Sequence, residues 1–114
     1  MSIDELVHTC AHEEVATAAV FSIGLSFAGK VAFAARSHDV SVGAFVAQAV
    51  RLFAINAQDA ERRHLAASMR NQDQPLLAGL HCILAPILED ELRAVGYATA
   101  MSSLGLANRL LRAA

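Results

Sequence analysis

Hydrophobic positions along this chain change their period twice between Val20 and Phe53. Ahead of that stretch, Ile3, Leu6, Val7, Cys10, Val15 and Ala18 fall largely at helical spacing. Ser2 or Asp4 is placed to cap the start, so a first helix is predicted to end near Ala16. From Phe21 the order becomes strictly alternating: Phe21, Ile23, Leu25 and Phe27 are apolar, and Ser22, Gly24 and Ser26 are small or polar. Alternation of this kind predicts a short half-buried strand over Phe21 to Leu25. Phe27, Val31, Ala34 and Ala35 then share one helical face behind Ser26 as a cap, and Ser37, His38 and Asp39 break that helix. Ser41 is the predicted cap of the next helix, with Val40 and Phe45 spaced as a hydrophobic staple, and the apolar face continues through Ile55.

The second half reads as helix throughout. Ala60 to Arg70 presents Leu65 and Met69 on one face and charges elsewhere. Asn71 to Pro75 is a turn, and Pro75 suits the first turn of the helix that follows. Pro86 lacks an amide donor, so that helix is predicted to kink there or restart, with Glu89, Asp90 and Glu91 favouring a restart. A last helix is expected to reach towards Arg112, with Leu88, Leu92, Val95, Met101, Leu104 and Leu110 on or near one face. The whole is one domain, 1–114, divided into an N-terminal helix (1–18), a strand-and-two-helix core (19–56) and a C-terminal helical extension (57–114). A strand and two helices cannot bury their own core, so the pattern predicts a homodimer.

Strand, helix, capped turn and helix in Val20 to Phe53, above all the segment DVSVGAFVAQAVRLF, resemble the ribbon-helix-helix family of small bacterial proteins. The resemblance implies paired strands forming an antiparallel ribbon, and with it a transcriptional regulator or antitoxin-like module bound to duplex DNA. Carried across, Ser22, Gly24 and Ser26 become the outward strand positions. Ser41, Val42 and Gly43 become the helix start that holds a phosphate, where free amides and the helix dipole favour an anion. Base reading needs forked donors, and Ser22, Gly24 and Ser26 supply none. That departure keeps a second function open: a protein-interaction or assembly module with the same dimer scaffold and a protein partner in place of DNA. The alternative fold is an all-α helical bundle in which Val20 to Leu25 is helical.

Composition narrows the choice further. Hydrophobic residues are 55% of the chain but aromatics only 5%, so the apolar content is largely alanine, which suits close helix packing. Eight Arg and one Lys against 11 acidic residues leave a net charge of −2, which gives no global attraction to nucleic acid or anionic membrane. The mean hydropathy of +0.41 raises the question of a membrane. The longest uncharged run, Val15 to Gly29, is diluted by Ser, Thr, Gly and Ala, so no membrane insertion is expected.

Candidate chemistry is sparse. His8 and His12 stand four residues apart and could share a metal ion if His81 or Cys82 came within reach, which leaves a metal-binding helical protein as a third function. Arg62 and Arg63, with His64 and Arg70 nearby, form the densest basic region and are candidate phosphate contacts. Glu89, Asp90, Glu91 and His64 read as helix-surface groups, and no nucleophile elbow or phosphate loop is present, so no catalysis and no cofactor is expected. Cys10 and Cys82 follow no metal or redox spacing, which predicts reduced thiols and a cytoplasmic protein.

Overall fold

The computed structural model describes residues 1–94. Six α-helices follow one another among them: α1 (Ile3–Cys10), α2 (Glu13–Ile23), α3 (Leu25–Ser37), α4 (Val42–Asn56), α5 (Asp59–Met69) and α6 (Pro75–Ala94). The all-α alternative holds, and the described residues contain no strand.

The predicted strand over Phe21 to Leu25 is instead the end of α2, the linking Gly24 and the start of α3. The reason lies just upstream. Ala16, Ala19 and Val20 are buried and Ile23 is half-buried, a spacing of three, one and three that belongs to a helix. An alanine-rich run already in helix carries its period through Ile23, and Phe21 and Leu25 are left on the outer side at 49% and 79% exposure. Alternation over five residues loses to a helical period established over eleven. Ser26 accordingly lies inside α3 rather than capping it, because Gly24 holds that position in an extended conformation.

Two other boundaries differ from expectation. The first helix ends at Cys10, not Ala16, because His12 adopts an extended backbone and Glu13 and Glu14 open a new helix where carboxylates complement the dipole. Pro86 does not restart the helix: α6 runs unbroken from Pro75 to Ala94 with Pro86 on its exposed side, where a missing backbone bond costs least. The helix expected to reach towards Arg112 lies beyond Ala94 outside the described residues.

The turn between α3 and α4 falls at Ser37 to Asp39, as the sequence predicts. Asp39 takes a left-handed backbone (φ 57°) just past the end of α3. Its amide donates to the Arg36 carbonyl and the Val40 amide to the Ala35 carbonyl, which together make a Schellman closure. Ser41 then caps α4 by accepting from the Ala44 amide at 3.1 Å. The two helices leave this corner at 87° to each other.

Every helix contributes to one core: Leu6, Val20, Val31, Val46, Leu65 and Leu80 are each fully buried. Burial of each such side chain is worth about 1.5–3 kcal/mol. Helix α4 packs against α1, α2, α3 and α6, and α5 packs along α6. Small residues set the closest approaches. A Cβ at Gly43 would fall on the carbonyl oxygen of Glu13, so α4 crosses the start of α2 at backbone contact. At Gly79 a Cβ would lie 2.7 Å from the Met69 sulfur, which is how α6 seats against α5. No single helix among the described residues is long and apolar enough to cross a membrane.

Candidate functional site

The groups expected to hold phosphate are engaged within the fold. Ser41 donates its hydroxyl to Glu13 Oε1 at 2.9 Å, so an internal carboxylate stands at the start of α4 where the resemblance puts an anion. Gly43 is buried against Glu13 and Val42 is half-buried. Arg62 turns its guanidinium inward: Nε donates to the Ala57 carbonyl at 3.3 Å and Nη2 to the Ala54 carbonyl. It thereby satisfies carbonyls at the end of α4 that have no helical partner. Arg63 and Arg70 stay exposed on α5 and just after it.

The other expected positions do not assemble into a site. Ser22 bonds back to the Ala18 carbonyl at 2.9 Å, and Gly24 separates it from Ser26 on the next helix, so the three share no strand face. His8 and His12 do approach, edge to face at 5.9 Å between ring centres. His81 stacks on Phe27 at 5.1 Å, and the Ser68 hydroxyl reaches the Cys82 sulfur at 3.6 Å. Among the described residues no group of three His, Cys, Asp or Glu side chains is placed to hold a metal ion.

A different place has the makings of a site. Helices α4, α5 and α6, with the end of α3, enclose a groove of about 670 Å³. That volume falls in the range of small-ligand pockets, roughly 300–1,000 Å³. Phe45, Ala49 and Ile83 form its buried floor, and Phe53 and Ile87 form half-buried walls. Leu52 and Pro86 are its exposed lips.

Three features explain why helices packed so tightly elsewhere stay apart here. Two phenylalanines on α4 hold α6 away where alanines would let it close. Arg62 fixes the short α4–α5 connection, which sets α5 as the third wall. Pro86 faces the groove and lacks the amide that would close a helical bond, so α6 is one backbone hydrogen bond short at this point.

The polar groups of the groove gather at its rim. His38, just past α3, donates from Nε2 to Glu91 Oε2 at 2.9 Å and packs its ring on Phe45 at 5.9 Å between centres. Glu61, whose Oε1 accepts from the Gln58 amide at 3.1 Å, and His64 line the α5 side. Gln48 lies on the α4 side, and among the described residues no Lys or Arg lines the groove. The two thiols divide between the regions. Cys10 is buried in the core and its pKa is pushed up to about 11 by desolvation, whereas Cys82 is half-buried on the groove wall.

Sequence reasoning placed Glu91 and His64 on the helix surface and gave His38 no role beyond breaking a helix. The signal that was available is the pairing of a mid-helix proline with phenylalanines eight residues apart on α4. The partnership of His38 with Glu91, 53 positions apart, left no local trace. Comparison of the chain with protein-family models, with curated proteins and with solved structures finds no match in any of the three.

Proposed function

We propose that this protein is a binding module whose groove between α4, α5 and α6 takes a compact apolar ligand. The observation that carries this reading is an apolar floor left open along the same α4 that meets the backbone of α2 at Gly43. Among the described residues no side chain covers Phe45, Ala49 and Ile83 from the groove side, so an apolar ligand seated there would remove apolar surface from water. The reading favours ligand binding over the DNA-bound regulator, since Ser41 and Arg62, two of that reading's phosphate contacts, already have partners inside the fold. Calorimetric titration with phenylbutanol, a neutral apolar probe, should give saturable binding that Ile87→Glu abolishes. Identical heats from both proteins, or none from either, would remove the groove from the account.

Self-association is a second reading, favoured by a separate observation. Val15, Phe21 and Leu25 lie exposed at 40%, 49% and 79% on α2 and the start of α3, and none of them lines the groove. A second copy of the chain packed over Phe21 and Leu25 would restore the expected homodimer without any strand pairing. Sedimentation of Leu25→Glu beside the unaltered chain tests it: dissociation by the substitution supports the dimer, and a monomer in both rules it out.

A further inference from the structure

The groove's floor sets the ligand's body, and its rim sets the ligand's head. Resting on the binding reading above, we propose that the groove selects an apolar amine, with the protonated nitrogen on the Glu91 carboxylate and the apolar body on Phe45, Phe53, Ile83 and Ile87.

Charge makes the first argument. Among the described residues the ionisable groups lining the groove are Glu61, Glu91, His38, His64 and Cys82, and none of them is a Lys or Arg. Arg62 and Arg63 stand between Glu61 and His64 on α5, but Arg62 turns its guanidinium to the α4 carbonyls and Arg63 is exposed and outside the groove lining. A carboxylate ligand would meet two carboxylates and no fixed cation. An ammonium would meet both with the sign reversed, in a cleft whose apolar walls strengthen the attraction.

Hydrogen bonding makes the second. Glu91 offers its carboxylate to the groove's edge, with a side chain only 32% exposed, and at present accepts from a neutral-capable donor, His38. An ammonium, with three donors and a full charge, suits this carboxylate better than a hydroxyl with one donor. His38 then acts as a stand-in for the ligand: it holds Glu91 when the groove is empty, and it rests on Phe45, so a ligand that displaces it also uncovers the floor. Aromatic faces at Phe45 and Phe53 give a cation a further favourable neighbour.

The test uses three probes with one apolar body, phenylbutylamine, phenylbutanol and phenylbutyrate, titrated into the full chain at pH 7. The amine should bind about tenfold or more tighter than the alcohol, and the carboxylate weakest, as expected of one charge-assisted hydrogen bond in place of a neutral one. Glu91→Gln should bring the amine and alcohol affinities together within about twofold, while His38→Ala should tighten amine binding by removing the competing donor. Alcohol binding by Glu91→Gln at unaltered affinity reports that the variant keeps its fold and its groove. Equal affinities for amine and alcohol in the unaltered chain, a preference for phenylbutyrate, or an amine preference that survives Glu91→Gln would each overturn the inference and leave the apolar groove standing. Failure of all three probes to bind would remove the groove reading itself.

Discussion

The junction of α4 with α1 and α2 and the junction of α4 with α5 and α6 are built from one helix, yet they differ in kind. On the first side α4 presents Gly43, Val46 and Val50 to α1 and α2, and at Gly43 it meets the backbone of Glu13. On the second side the same helix presents Phe45, Leu52 and Phe53, and a groove of about 670 Å³ remains. The polar groups follow the same division. Around the Gly43 contact Ser41 is held by Glu13 and Ala44, and Thr17 by the Glu13 carbonyl. Around the groove Glu91 is held by His38, a side chain that a ligand can replace. Packing residue size thus decides which face of a central helix becomes structure and which becomes a site.

The comparison breaks first at Gly43. Replacement by Ala should lower stability by about 1–3 kcal/mol in urea denaturation, because the new methyl meets Glu13 backbone rather than a side chain able to swing away. No change at Gly43 would mean that the junction is looser than its geometry states. A smaller effect is expected across the helix. Leu52→Ala, at a lip already 47% exposed, should cost under about 1 kcal/mol in the same measurement while weakening phenylbutanol binding several-fold. Loss of stability at Leu52 equal to that at Gly43 would erase the distinction between the two faces.

Much of the fold is legible in the sequence, and the reason is local. Ser41 caps α4 as expected because a serine hydroxyl can reach the amide three residues on whatever the tertiary context. Pro75 opens α6 and Leu65 and Met69 face inward for equally local reasons. The strand failed because alternation of Phe21, Ile23 and Leu25 was weighed apart from the alanine helix that runs into it. Pro86 suggests a kink or a restart by a local rule, and the favoured restart does not occur because Ile83, Leu84 and Leu88 pack on either side and carry the helix through.

The candidate site was far less legible than the fold. Its floor comes from α4 and α6, its rim pairs His38 with Glu91, and Arg62, the residue that fixes its third wall, reads in sequence as a solvated cation. Each of these depends on contacts between segments distant along the chain. Spacing within one helix cannot report them.

The two cysteines offer the most direct measurement of the division between a closed core and an open groove. Cys10 sits fully buried in the first, with its pKa raised to about 11, so at pH 8 only about one thiol in a thousand would be ionised even if reagent reached it. Cys82 lines the second. Alkylation of the folded full chain with iodoacetamide at pH 8, followed by mass spectrometry of the peptides, should modify Cys82 and leave Cys10 untouched until urea unfolds the protein. Saturating phenylbutanol should slow the Cys82 reaction several-fold without affecting the unfolded chain. Equal modification of both cysteines in the folded protein, or a Cys82 rate indifferent to the probe, would contradict the account.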